Sequence, residues 1–270
     1  MKRLMIVAIM LFLAVPLMAA APASPCRLDH SVLQAYDGGP NTTEEQWRDS
    51  RRAVSEFIGC PPSSVDAASR RVFFEVVKRE FATEHTADLA QWSKKRPGSD
   101  ALYEGISLFQ SELKGYMDRL VDRNDVEFKS TILRYGNAAA IAKLGPAVKH
   151  DVVAMLGAPS IHGLRHQYNA QEAALGALGL WIDPSNTDFS PAEKANFTGI
   201  VTGVLPVLTN TADKHQYRLA EGALKALSHA EGAEAEASVR RWMASQPNGA
   251  LQRLAASSAD AIHKRTQKHG

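Results

Sequence analysis

Two histidines, His162 and His166, have the spacing at which helical residues can bind zinc together. Side chains four positions apart lie on one face of a helix, and neutral imidazole is a common zinc ligand. The residues between them, however, include no glutamate, and no third ligand follows nearby. The sequence therefore predicts no metal site and no cofactor.

The other residue types that support catalysis lack the arrangement that catalysis needs. Asp118 and Asp122 lie on one helical face. Lys114, Arg119 and Arg123 surround them, which favours surface ion pairs over acid–base chemistry. No serine lies in a G-x-S-x-G motif, and no phosphate-binding or dinucleotide-binding glycine loop is present. We therefore predict no catalytic residues and favour a noncatalytic protein. The alternative is an enzyme that acts on a cell-envelope polymer or a glycan through paired carboxylates in a groove.

The N-terminal segment has the layout of a secretory signal peptide. Lys2 and Arg3 precede an apolar run over residues 4–18, and small residues follow this run. The small-x-small pattern at residues 21–23 predicts cleavage near Ala23, with an uncleaved membrane anchor as the alternative. No later stretch is apolar enough to span a bilayer. We therefore expect a periplasmic or secreted protein without a membrane span after cleavage.

Cleavage at this position would leave a mature chain without net charge. The 270 residues include 31 lysines and arginines and 29 aspartates and glutamates, and two of the basic residues lie in the signal peptide. A neutral chain has no global electrostatic attraction to DNA, RNA or an anionic membrane. We therefore expect a protein or peptide partner and no nucleic acid.

The chain has two cysteines, Cys26 and Cys60. In an oxidising compartment such a pair usually forms a disulfide. Neither a CxxC motif nor a Cys-His spacing supports a redox or nucleophilic role. We predict a Cys26–Cys60 disulfide, with two free thiols as the alternative. The bridge would attach the segment before the first helix to the end of that helix.

Helix signals account for most of the chain, and no segment has the two-residue alternation of a strand. An apolar stripe with steps of three and four residues runs over 100–121. Ser190, followed by Pro191 and then by Glu193, has the pattern of a capping box, and Thr42 begins a similar spacing. We divide the chain into a signal peptide at 1–23, an irregular segment at 24–41, an all-helical domain at 42–266 and a tail at 267–270.

The strongest long-range pattern is an internal repeat with an offset of 49 residues. The segments 166–178 and 215–227 share eight of thirteen positions, beginning with His-Gln-Tyr and ending with Ala-Leu-x-Ala-Leu. One further predicted helix lies between them, so the offset covers two helices, the size of one unit in a stacked helical array. Small inner alanines would let neighbouring helices approach to about 8 Å.

The segments Ala174-Leu175-Gly176-Ala177-Leu178 and Ala223-Leu224-Lys225-Ala226-Leu227 make residues 125–265 resemble HEAT-like, armadillo-type helical repeats. The resemblance implies an all-α fold of stacked helical hairpins, an α-solenoid, whose surface binds a protein or peptide. The alternative fold is an irregular helical bundle with one duplicated hairpin. A third function is inhibition of another protein, as by an immunity protein. The residues that we predict to bind the partner begin the two repeats: His166, Tyr168, His215 and Tyr217.

Overall fold

The computed structural model describes residues 26–36, 43–81, 99–157, 165–246 and 249–269. Within these ranges the fold is all-α, as predicted, and no residue lies in a strand. None of the described helices combines the length and the apolar composition needed to cross a lipid bilayer. The described α-helices are α1 (Glu44–Ile58), α2 (Ala67–Glu80), α3 (Ser99–Leu120), α4 (Lys129–Tyr135), α5 (Ala138–Lys143), α6 (Lys149–Gly157), α7 (Arg165–Ile182), α8 (Pro191–Val204), α9 (Lys214–Leu227), α10 (Ala233–Ala244) and α11 (Gly249–His269).

Short 3-10 helices connect several of these elements. A 3-10 helix is a tight turn that commonly occurs at the end of an α-helix or as a connection between helices. One of them, Asp125–Phe128, leads directly into α4. The described 3-10 helices are His30–Ala35, Pro62–Ser64, Asp125–Phe128, Gly145–Val148 and Leu205–Val207.

Two helices begin at reciprocal capping boxes. The Ser190 hydroxyl accepts a hydrogen bond from the Glu193 N–H, and the Glu193 carboxylate accepts one from the Ser190 N–H. Helix α1 begins in the same way at Thr43, one residue later than the predicted cap at Thr42. The reason is that Gln46 lies three residues after Thr43. Its side-chain oxygen accepts a hydrogen bond from the Thr43 N–H, and the Thr43 hydroxyl accepts one from the Gln46 N–H.

The segment before α1 was predicted to be irregular, and residues 30–35 correct this prediction. They form a 3-10 helix that packs against α1 and α2. Leu33 and Tyr36 are buried there, and the gain from burying them stabilises the turn. The predicted disulfide is confirmed: Cys26 and Cys60 are bonded, with their Cα atoms 6.0 Å apart.

Helices α1, α2 and α3 pack around a group of buried aromatic rings. Tyr116 lies edge-on to Phe57 and Phe73, with ring centres 5.6 and 5.3 Å away. The Tyr116 hydroxyl donates a hydrogen bond to the Cys60 carbonyl at 3.0 Å. The aromatic group and the disulfide therefore stabilise the same corner of the fold.

Helices α7 and α9 pack side by side and run in the same direction. Glu172 pairs with Arg218 at 3.8 Å, and nearer the C-terminal ends Asp183 pairs with His229 at 2.8 Å. The contacting positions advance together along both helices, as they do only when helices are parallel.

The neighbours on either side continue this row. On one side, Gly176 of α7 lies against Ala138 of α5, and further along the indole N–H of Trp181 donates to the Ala142 carbonyl at 3.0 Å. Contacting positions again advance together, so α5 is parallel to α7. We call the helices α5, α7, α9 and α11 the parallel row.

Helix α11 joins the row through α9. The Ser258 hydroxyl donates to the Leu224 carbonyl at 3.0 Å, and the Arg265 guanidinium donates to the Ser228 carbonyl. Helices α6, α8 and α10 alternate with the members of the row along the chain and return the chain to the start of the next member. Helix α8 contacts both α7 and α9, and α10 contacts both α8 and α11. Helices α5, α7 and α9 are thus each followed by a returning helix.

The two copies of the sequence repeat form the α7–α9 interface. A Cβ atom added to Gly179 would lie 2.8 Å from the Ala226 Cα atom, too close for any side chain. Small residues therefore allow the two backbones to approach closely. The repeated alanines and leucines are all buried: Ala174, Leu175, Ala177, Leu178, Ala223, Leu224, Ala226 and Leu227.

Candidate functional site

The four residues predicted to bind a partner lie at the starts of α7 and α9. His215 follows the N-cap residue Asp213, and Tyr217 packs partly against the core. His166 and Tyr168 lie in the first turn of α7, and their side chains are outside the described part of the structure. Because α7 and α9 are parallel neighbours, both starts lie at the same end of the row.

The residues considered for metal binding or acid–base chemistry do not form a shared site in the part of the chain that is described. His162 lies outside the described residues. No group of three His, Cys, Asp or Glu side chains within them could hold a metal ion. Asp118 pairs with Lys143 at 3.0 Å, whereas Asp122 faces Arg70 at 3.8 Å. The two aspartates therefore pair with basic side chains on different helices.

A buried charged cluster, which we call the Glu80 cluster, lies between the N-terminal helices. The Glu80 side chain is fully buried, and the Arg51 guanidinium donates to it at 2.7 Å. The Arg51 guanidinium also lies 4.2 Å from the ring centres of both Trp47 and Phe109. Such cation–π contacts are worth about 0.5–2 kcal/mol each. The cluster thus contains one carboxylate and one guanidinium, and aromatic rings lie against the guanidinium.

The surroundings of Glu80 change the pKa of its carboxyl group. Burial raises the pKa of Glu80 to about 7, although the charge of Arg51 and hydrogen bonds from Arg51 and Tyr36 act in the opposite direction. Burial also raises the pKa of Tyr36. A carboxyl group with a pKa near neutrality is suited to general acid–base catalysis. Glu80 faces a guanidinium rather than a second carboxylate, so the pair of acids that the alternative enzyme function needs is not formed here.

A second polar group joins the C-terminal ends of α7 and α9. The Asp183 carboxylate contacts the imidazole Nδ1 of His229 at 2.8 Å and accepts from the Ser185 hydroxyl at 2.6 Å. Burial acts to raise the pKa of Asp183, but the hydrogen bonds from Ser185 and His229 outweigh it and bring the pKa to about 2. Both partners bind the same carboxylate, and the serine does not contact the histidine as a nucleophile would. The group therefore serves as a connection between parallel helices.

A cavity of about 310 Å³ opens where α8 and α10 end, and we call it the Trp242 pocket. Its walls come from the ends of the two helices and from the 3-10 turn after α8. The lining residues include Thr202, Leu205, Pro206, Arg241, Trp242 and Gln246.

Three side chains of the Trp242 pocket have buried polar atoms without a hydrogen-bond partner among the described residues. They are the indole nitrogen of Trp242, the amide oxygen of Gln246 and the hydroxyl of Thr202. The Trp242 and Gln246 side chains belong to residues only 6% and 5% exposed. An unpaired buried polar group costs about 1–3 kcal/mol. These three atoms are inaccessible to solvent, so they lie beneath the wall of the cavity.

The sequence analysis missed the Glu80 cluster and the Trp242 pocket. Arg51 and Glu80 lie on different helices, and no local motif connects them. Trp242 and Gln246 are four residues apart, a spacing that places them near each other, but tryptophan is usually a core residue. Comparison with protein-family models, with characterised proteins and with solved structures finds no match to this chain.

Proposed function

We propose that this chain is an exported, noncatalytic binding protein whose helical hairpins stack as a HEAT-like α-solenoid. Its partner is a protein or a peptide, recognised on the surface of the stacked helices. The observation that carries the proposal is the parallel row. Equivalent helices of successive units run parallel in a helical solenoid, with a returning helix between them.

The close contacts of the parallel row support this proposal. Stacked repeats in helical solenoids create extended surfaces, and such surfaces are used for recognition. The two copies of the His-Gln-Tyr start lie at one end of this row. We therefore propose His166, Tyr168, His215 and Tyr217 as the partner-binding patch.

Export is supported by the disulfide and by the signal-like N-terminal segment. Disulfides form and persist in oxidising compartments, which include the periplasm and the exterior of the cell. The Cys26–Cys60 bond begins three residues after the predicted cleavage site, so it would remain in the mature chain.

The proposal is tested by capturing partners with the purified mature chain. We would incubate it with the periplasmic and secreted proteins of the producing organism and identify what is retained by mass spectrometry. The expected result is one protein or peptide that the combined variant His166→Ala and His215→Ala no longer retains. The matched control is Lys225→Ala on α9, whose exposed side chain pairs with Glu221 of the same helix at 2.7 Å. Equal retention by all three proteins, or a turnover activity without any partner, would contradict the proposal.

Glu80 is the observation that bears on the alternative enzymatic function. Its pKa of about 7 suits a general acid, but the side chain is fully buried against Arg51. A substrate would have to displace this pair before it could receive a proton. Loss of a hydrolytic activity on glycans in Glu80→Gln, with the fold retained, would favour the enzyme over the binding protein.

A further inference from the structure

A cavity of about 330 Å³, which we call the Lys114 pocket, lies between α3, the junction of α4 and α5, and α7. Lys114 of α3 and Arg134 of α4 are its basic residues, and Glu172 of α7 is the one acidic residue among its described lining residues. Glu172 pairs with Arg218 of α9 at 3.8 Å, so its charge is partly compensated from outside the pocket. The wall of the pocket therefore has a net positive charge.

Neither base of the Lys114 pocket pairs with a carboxylate among the described residues. The Lys114 ammonium lies 5.0 Å from the ring centre of Phe81, and the Arg134 guanidinium carbon lies 5.4 Å from that of Tyr135. These two rings stack on each other with their centres 5.4 Å apart. The two positive groups thus lie against one aromatic pair, and aromatic rings do not neutralise their charge.

The Lys114 ammonium is accessible to a ligand. Asp118, one helical turn further along α3, pairs instead with Lys143 of α5 at 3.0 Å. The Lys114 side chain is half-buried, and its nitrogen has no hydrogen-bond partner among the described residues. It is nevertheless not one of the unpaired atoms that are closed off from solvent. An anion in the cavity can therefore reach it.

The surroundings of Lys114 favour the arrival of an anion. Burial lowers the pKa of Lys114, because its charged form has lost part of its hydration. A bound anion would replace the lost water with a charge-assisted hydrogen bond. Space for it exists because several lining residues are small, namely Gly136, Ala138 and Ala173.

A carboxylate matches the charges of the pocket. Two bases and one acidic residue are balanced by one further negative charge, which is the charge of a carboxylate. A phosphate group would bring about 1.5–2 negative charges towards Glu172. Peptides carry carboxylates at the C-terminus and in the side chains of aspartate and glutamate. The pocket is therefore suited to an acidic group of a peptide.

The Lys114 pocket lies beside the proposed partner-binding patch. Asn137, the N-cap residue of α5, lines the pocket. On the α7 side, Glu172 pairs with Arg218, which follows Tyr217 of the patch in the sequence. A peptide bound at the patch therefore needs to extend only past this ion pair to reach the pocket.

We propose that the Lys114 pocket binds a carboxylate of the peptide or protein partner, with the Lys114 ammonium as its hydrogen-bond donor and Arg134 as the second positive charge. This inference rests on the proposed binding function and names a chemical group that the partner must carry. The carboxylate is either the C-terminus of the partner or the side chain of an aspartate or glutamate, and the test separates these two sources.

The test is a titration of the mature chain, followed through the backbone amide resonances of Gly136 and Ala138 in a nitrogen–proton NMR spectrum. The probes are acetyl-Ala-Ala-Ala with a free C-terminus, acetyl-Ala-Asp-Ala amide and the uncharged acetyl-Ala-Ala-Ala amide. Saturable shifts are expected with at least one carboxylate probe, which identifies the source, and not with the uncharged amide. The resonance of Gly232, the N-cap residue of α10, is the internal control and is expected to remain in place.

Variants test the role of Lys114. Lys114→Met keeps the apolar stem without the charge, and its affinity for the carboxylate probe is expected to fall about tenfold, as for loss of one hydrogen bond to a charged group. Lys114→Arg restores the charge and should recover most of this affinity. Lys264→Met, at an exposed position on α11, is the matched control and should bind as the unchanged protein does.

Thermal unfolding verifies that these variants are folded. If Lys114→Met does not fold, the exposed Arg134 is replaced instead, and Arg134→Met is expected to weaken binding of the same probe.

Three results would overturn the inference. The first is the absence of a saturable shift with either carboxylate probe, or an equal shift with the uncharged amide. The second is binding of inorganic phosphate but of neither carboxylate probe, which assigns the pocket to another anion. The third is unchanged affinity in Lys114→Met. In each case the capture experiment with His166→Ala and His215→Ala still decides the broader binding function, because its variants leave Lys114 and Arg134 unchanged.

Discussion

At the scale of single residues, Glu80 shows how position sets chemistry. A carboxylate taken out of water is destabilised, and one neighbouring guanidinium compensates for this only in part. The net result is a pKa of about 7 for Glu80, above its ordinary value of 4.5. A carboxyl group whose pKa is raised by folding stabilises the folded state most at low pH, where it is protonated.

We predict that Glu80→Gln removes a specific pH dependence of stability. The contribution of Glu80 is complete below about pH 4.5 and is lost as the pH rises through about 7, because the folded state then releases its bound proton. The loss is on the order of 3 kcal/mol. Urea unfolding of the unchanged protein and of Glu80→Gln, between pH 4.5 and 8, measures it. The difference between the two free energies of unfolding should change by this amount, and two parallel curves would refute the prediction.

At the scale of elements, the α7–α9 contact depends on residues without large side chains. The Cβ atom that alanine would add at Gly179 lies 2.8 Å from the Cα and 3.2 Å from the Cβ atom of Ala226. The neighbouring atoms belong to a helix backbone that cannot move away alone. Since interiors are close-packed, even one methyl group here separates the two helices.

We predict that Gly179→Ala destabilises the fold although alanine is the better helix former. Overpacking costs about 1–3 kcal/mol, which exceeds the gain of about 1 kcal/mol from helix propensity. Gly199→Ala is the matched control, because an added Cβ meets no atom within 4 Å there, on the exposed side of α8. This variant should gain up to about 1 kcal/mol. Chemical denaturation measures both, and equal effects of the two substitutions would show that the close approach is not needed.

At the scale of the whole molecule, the N-terminal and C-terminal halves are stabilised in different ways. The C-terminal half depends on contacts between alternate helices of the parallel row and on contacts of these helices with the returning helices. The N-terminal half combines an aromatic core with a disulfide that joins positions 34 residues apart. Restricting a loop of this length lowers the entropy of the unfolded chain, which favours folding.

We predict that the double variant Cys26→Ser and Cys60→Ser loses about 3–4 kcal/mol of unfolding free energy, as the chain-entropy relation gives for such a loop. Reducing agent should lower the stability of the unchanged protein to the same level and leave the variant unaffected. Melting temperatures with and without reductant provide the measurement. Unchanged stability of the double variant would mean that the bond contributes nothing.

The sequence by itself determined the class of the fold and some helix boundaries. Capping residues, prolines and apolar spacing act within a few residues, so Ser190 and the stripe over 100–121 could be interpreted without knowing any long-range contact. The cysteine pair was also sufficient to predict the disulfide, since no other partner is available. The one-residue error at Thr42 arose because two successive threonines compete for the same role.

Only the tertiary structure decided which residues share a site. Glu80 acquires its raised pKa from burial between packed helices, which outweighs the opposing effect of Arg51 on another helix. The Trp242 pocket forms where α8, a 3-10 turn and α10 end together. The parallel direction of α7 and α9 also follows from packing, because the repeat specifies similar helices but not how they face each other. Local spacing governs backbone hydrogen bonds, whereas burial and long-range pairing depend on the path of the entire chain.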